Sequence, residues 1–259
     1  MQNKNITLEI CAASYASALE AQAGGADRIE LCTALPVGGL TPSWGTLQLT
    51  LRKLDIPVCV LIRPREGDFL YSDTEFELMK EEIRRCKKAG AAGIVTGILT
   101  KDSMPDIRRM RILAKLAGPM EVVCHRAFDY VREPGEALEQ LTDLGFNRIL
   151  TAGQQTTAWE GRELIGNLVS LAAGRIEILP GSGITVDNVE ELIRHTRATA
   201  IHMTASRYQK SGMDLRMDSV RLNTGTAIPE FDYLETSAEI VQEVRRRISS
   251  AISPGLSKS

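Results

Sequence analysis

No stretch of this chain approaches the 18 or so apolar residues of a membrane span, which argues against an integral membrane protein. The start, Met1-Gln2-Asn3-Lys4-Asn5, lacks the apolar centre of a signal peptide and runs almost at once into a strand pattern. Charge of one sign is missing too. Lys and Arg total 31 against 33 Asp and Glu, and a net −2 gives no general electrostatic reason to bind nucleic acid or an anionic membrane. The five cysteines, at 11, 32, 59, 86 and 124, are odd in number and fall in strands, at strand ends or in a helix. That is no disulfide framework, and it fits a reducing compartment, so a cytoplasmic location is expected. No CxxC, HExxH or paired Cys/His spacing occurs, which excludes the usual structural zinc sites. The turn after the first apolar run, Cys11-Ala12-Ala13-Ser14, has none of the glycines of a dinucleotide fold, so no nucleotide or flavin cofactor is expected.

What is present is a regular alternation. Short apolar runs at 7–10, 28–31, 58–62, 94–96, 121–125, 148–151, 176–179 and 200–202 predict eight strands, most followed by a helical pattern. Ser72-Asp73-Thr74-Glu75 reads as a capping box in which hydroxyl and carboxylate satisfy each other's free amides. Eight strands interleaved with helices imply parallel strands and right-handed crossovers. At 259 residues, with no second composition zone, the pattern predicts one closed parallel (β/α)8 TIM barrel over 1–252. The stretch 207–236 departs from the rhythm as a long excursion before a last helix, 237–252, and is expected to be a lid or an oligomer contact. Residues 253–259 are expected to form a flexible tail.

Alternation along each strand assigns the barrel interior. Leu8 and Ile10 face the helices, leaving Glu9 and Cys11 inward; Ile29 and Leu31 leave Arg28, Glu30 and Cys32 inward; Val60 and Ile62 leave Cys59 and Arg63 inward. His125 reaches the mouth in the same way, beside Arg126 and Asp129, a carboxylate able to fix the imidazole tautomer. Residues at strand C-terminal ends converge on the face where barrel sites lie. Glu9, Glu30, His125 and Asp129 are therefore candidate acid/base groups, against the alternative that Glu9, Glu30 and Arg63 only neutralise one another inside the barrel. Arg63, Arg65, Arg126 and the loop Gly181, Ser182, Gly183 form a candidate anion site, since glycines permit close backbone approach and barrels bind phosphate after strands seven and eight. Cys11 and Cys32 end neighbouring strands, about 4.8 Å apart, and could place two thiolates on one soft ion such as Cu(I). The alternative is that they are small buried apolar groups.

Several motifs resemble one known family. Leu8-Glu9-Ile10-Cys11, Gly25-Ala26-Asp27-Arg28-Ile29-Glu30-Leu31-Cys32, Gly38-Gly39-Leu40-Thr41-Pro42-Ser43, Ile62-Arg63-Pro64-Arg65, Gly67-Asp68-Phe69-Leu70-Tyr71, His125-Arg126-Ala127-Phe128-Asp129 and Pro180-Gly181-Ser182-Gly183-Ile184 are similar, in order and spacing, to the copper homeostasis protein CutC family over about 7–207. The resemblance implies a β/α barrel, a cytoplasmic homodimer or larger homo-oligomer, and a role in intracellular copper handling. It implies Cu(I) binding at cysteines ending the first two strands, here Cys11 and Cys32. It carries no reaction. The charged ring leaves open a second reading, a hydrolase, lyase or isomerase acting on a small anionic or phosphorylated metabolite. One departure is Thr151-Ala152-Gly153, where relatives commonly have Thr-Ser-Gly, which removes a hydroxyl from that loop.

Overall fold

The computed structural model of the chain describes residues 6–217, 219–220 and 230–252. Eight strand–helix units follow one another: β1 Thr7–Ala12, α1 Tyr15–Ala23, β2 Arg28–Leu31, α2 Trp44–Lys53, β3 Val58–Leu61, α3 Asp73–Ala89, β4 Gly93–Thr96, α4 Ile107–Ala117, β5 Glu121–Cys124, α5 Pro134–Asp143, β6 Arg148–Thr151, α6 Arg162–Ala172, β7 Glu177–Pro180, α7 Val189–Thr196, β8 Ala200–Met203 and, after a two-stranded ribbon, α8 Ala238–Ile252. Side chains cap several helix starts, as the sequence predicts. Ser14 Oγ accepts from Ser17 N at 3.0 Å and Ser43 Oγ from Thr46 N at 3.2 Å, while Ser72 and Glu75 close the full capping box.

Every pairing in the main sheet is parallel, in the order β7-β6-β5-β4-β3-β2-β1-β8. The remaining seam, between β7 and β8, is joined by one parallel bridge from Gly181 to His202, so the sheet forms a nearly closed TIM barrel. Gly181 fits closely there. A Cβ on it would lie 2.5 Å from Leu150 Cδ1 and 3.2 Å from His202 Cδ2.

The two faces of each strand follow the expected alternation. Leu8, Ile10, Ile29, Leu31, Val60 and Ile62 join the core between barrel and helices. Cys11, Cys32, Cys59, Leu61, Val95 and Val123 pack together inside the barrel, with Leu150, Leu179 and Ala200 as a separate interior group. The floor of the barrel is ionic. Arg28, Glu121, Arg148 and Glu177 are the first residues of β2, β5, β6 and β7. Arg28 contacts Glu9 at 2.7 Å and Glu121 at 2.6 Å, and Arg148 contacts Glu121 and Glu177 at 2.8 Å each.

The excursion after β8 is not wholly irregular. Its ends pair as an antiparallel ribbon, β9 Ser206–Gln209 with β10 Tyr233–Thr236. Thr236 anchors the base, its N donating to Ser17 Oγ and its hydroxyl to the Thr204 carbonyl, both at 3.1 Å. Residues 218 and 221–229 of the expected lid or oligomer contact, and the expected tail 253–259, lie outside the described residues.

Removing one member of a buried charge network leaves its partners uncompensated, typically at about 3–5 kcal/mol. Arg28→Gln takes one cation from both Glu9 and Glu121, leaving them only His202 and Arg148, so a stability loss towards that size is expected in urea unfolding. A loss below about 1 kcal/mol would show that the floor does not hold the barrel.

Candidate metal centre and adjoining cavity

At the C-terminal end of the strands a cavity of ≈ 350 Å³ opens among Cys11, Glu30, Arg63, His125, His202 and the Ser182–Gly183 turn. A larger hollow, ≈ 920 Å³, lies at the opposite end beside Glu121, Arg148 and Glu177. Barrel sites form at the C-terminal face, whereas the N-terminal face serves stability, so the smaller cavity is the candidate site.

One wall is a donor cluster. Cys11 Sγ lies 3.6 Å from Cys32 Sγ and 3.6 Å from Glu30 Oε1. One ligand atom each from Cys11, Glu30 and His202 falls within 4.8 Å of the other two. The strand register explains this, because Cys11 pairs with Glu30 and Glu9 with His202 across the two edges of β1. Cys32 is two residues further along β2, so its sulfur reaches Cys11 diagonally, and it does not line the cavity. All four donor residues are buried.

Glu9 sits beneath the cluster instead of lining the mouth. Its Oε1 is 2.8 Å from His202 Nδ1, and its Oε2 meets Arg28. Burial alone would raise the Glu9 carboxyl, but the hydrogen bond and charge of His202, with Arg28 and Arg148, outweigh it and hold the group below the usual carboxylate range. His202 is the mirror case: burial would lower it, and the Glu9 hydrogen bond with the charges of Glu30 and Glu9 raises it instead. Donating through Nδ1 to Glu9 leaves Nε2 as the ring atom for a ligand. Glu30 is raised by burial and by the charge of Glu9. The Cys11 thiol is pushed well up by its contact with Cys32, by burial and by the charges of Cys32 and Glu30.

The other wall carries Arg63 and His125. The Arg63 guanidinium donates to the carbonyls of Val37 (2.7 Å), Gly39 (2.9 Å) and Gly67 (2.9 Å), and lies 5.3 Å from the Phe69 ring. It does not pair with Glu9 or Glu30; Arg28 takes the role the sequence suggests for Arg63. His125 Nδ1 accepts from Ala127 N at 3.1 Å, its ring packs 4.8 Å from Phe69, and its Nε2 is buried without a partner. Gly97 makes room for it, since a Cβ there would come within 2.9 Å of Nδ1. Burial, then the Arg63 charge, depress the imidazole to about 3, so it is neutral with the proton on Nε2.

Three candidates from the sequence hold loops. Asp129 accepts from Thr151 Oγ1, the amides of Ala152 and Gln154, and Arg126 Nε, which occupies both of its oxygens. Arg126 lines the cavity but is tied to Asp129 and the Gln155 carbonyl. Arg65 faces away, binding Glu75, Asp68 and the carbonyls of Glu66 and Leu70. Gly181 belongs to the barrel seam, while Ser182 and Gly183 reach the mouth. Sequence reasoning places His202 among the strand-end residues that converge on the pocket but misses its partner. Parity marks it as inward, but only the β1–β8 pairing brings a residue 193 positions away onto Glu9.

A family model described as the CutC family matches residues 6–207. The chain belongs to the CutC family. It is 45% identical over 235 residues to the human copper homeostasis protein cutC homolog, covering 91% of this chain and 86% of that one. Against the CutC family protein of Parabacteroides distasonis the identity is 44%, covering 91% and 97%. The crystal structure of the copper homeostasis protein CutC from Streptococcus agalactiae superposes with a TM-score of 0.73 at 34% identity, over 77% of this chain and 98% of that one. Thiamine phosphate pyrophosphorylase from Pyrococcus furiosus, at 14% identity and TM-score 0.59 over 98% and 100%, shares the barrel alone. No described helix of this CutC-family chain is long and apolar enough to cross a membrane.

The two mouth histidines act oppositely on stability. The unfolded chain binds a proton at His125 below about pH 6.5 while the folded site refuses it until about 3, so acidification from pH 7 to 5 destabilises. His202 is raised, so its contribution is complete below about pH 6.5 and is lost as pH rises through the folded value. His125→Asn, whose Oδ1 can stand in for Nδ1, is expected to flatten the decline in urea midpoint between pH 7 and 5. An unchanged decline would mean that His125 titrates normally.

Proposed function

We propose that this CutC-family protein binds Cu(I) at the barrel mouth as a soluble cytoplasmic carrier or buffer, assembled as a homodimer or larger homo-oligomer. The observation that carries this reading is the 3.6 Å approach of the Cys11 and Cys32 sulfurs beside His202. Thiolate and imidazole are the soft and intermediate donors that favour Cu(I) over hard cations, and a carboxylate alone would not. Glu9 orients His202 from behind, the arrangement that fixes the tautomer of a ligating histidine. Cys32 is fully buried beside Leu61, Val95 and Val123, while Cys11 reaches the cavity. Bound Cu(I) would be a cargo, and the names of the human and streptococcal relatives point the same way.

Both thiols must lose their protons to become ligands, and Cys11 is held protonated by its neighbours. Binding therefore competes with protons, and apparent Cu(I) affinity is expected to rise with pH from 6 to 8 in a competition titration against a Cu(I) chelator. Cys11→Ser/Cys32→Ser is expected to abolish tight binding, and Glu9→Gln, which alters the group that orients His202, to weaken it by about 10–100-fold. Unchanged stoichiometry in the double variant would remove the site.

A further inference from the structure

The donor cluster occupies one wall of a cavity that is larger than an ion requires. At ≈ 350 Å³ it falls at the lower end of the range of small-molecule sites, about 300–1,000 Å³. The facing wall is made of donors without acceptors. Arg63 is 6% exposed, and its three hydrogen bonds all go to backbone carbonyls. Carbonyls solvate a guanidinium without neutralising it, and a buried charge is stable only when paired. His125 is 4% exposed, and its Nε2–H has no partner. Ser182 and Gly183, at φ +81° and +67°, line the same cavity. The Ser182 hydroxyl is engaged by the Thr156 carbonyl.

We propose that this wall is the binding site of a small organic anion, a carboxylate or phosphate ester whose oxyanion sits against Arg63 and His125 Nε2–H. The anion supplies the counter-charge that Arg63 lacks and the acceptor that His125 lacks. Phe69 packs on both groups, at 5.3 Å from the guanidinium and 4.8 Å from the imidazole, and fixes them in one orientation. Because His125 is neutral, the wall carries one uncompensated positive charge, and the nearby Glu30 disfavours a highly charged ligand. A small monoanion or a phosphate ester of low charge is the match. This wall and the one that carries Cys11 and His202 line the same cavity.

The test uses the metal-free wild-type chain, so its result is separate from the fate of the copper reading. Acetate, pyruvate, inorganic phosphate and glycerol phosphate are titrated while the imidazole nitrogen resonances and the melting temperature are followed. With three histidines, 125, 195 and 202, the signals are few enough to assign by substitution. At least one probe is expected to shift the His125 Nε2 signal and leave that of His195 in place, with a rise in melting temperature. His125→Asn is expected to weaken that binding by about tenfold, the equivalent of one charge-assisted hydrogen bond. Arg63→Lys keeps the charge but changes the donor geometry, and is expected to weaken binding as well. A response to carboxylates alone, or to phosphates alone, assigns the class of oxyanion. The proposal fails if no probe moves the His125 signal, or if both variants respond as the wild type does.

Discussion

Glu9 is the constraint on which the rest of the interior depends. Its two oxygens face opposite ways, one to Arg28 in the floor and one to His202 at the mouth. Through Arg28, Glu121, Arg148 and Glu177 the floor charges are tied into the same set of contacts. A carboxylate this deeply buried is tolerable only because one oxygen meets the Arg28 guanidinium and the other the His202 ring. The result is an ionic column from one end of the barrel to the other, which positions the imidazole beside the thiols. The apolar shell between barrel and helices supplies the burial.

That column divides the mouth into two chemistries. On the β1–β2–β8 side, donors are crowded so that each raises the cost of ionising the next: Cys32 and Glu30 act on Cys11, and Glu9 on Glu30. A cation relieves such crowding. On the β3–β5 side the opposite holds, since Arg63 and the proton-bearing Nε2 of His125 both present positive ends. One cavity thus has an electron-rich wall and an electron-poor wall, with Phe69 holding the second rigid.

Much of this was legible in the sequence, because period-two alternation and capping serines are local signals. The strands fall within one or two residues of their expected bounds, and Glu9, Cys11, Glu30, Cys32 and Arg63 do face inward. What could not be read was partnership. Glu9 pairs with Arg28 and His202 because of inter-strand register, which no single strand encodes. Arg65 and Asp129 look like site residues by composition, yet each is saturated by nearby loop groups, and only the folded turns reveal it. The 207–236 excursion reads as polar loop, but its ends pair as a ribbon whose strands are over twenty residues apart.

The seam between β7 and β8 gives the site a mechanical meaning. Seven of the eight junctions in the barrel are ordinary ladders, and the eighth is a single bridge at His202. The same residue is gripped from below by Glu9 and offers its free ring edge to the mouth. Whatever takes hold of that imidazole also takes hold of the weakest stitch in the barrel wall.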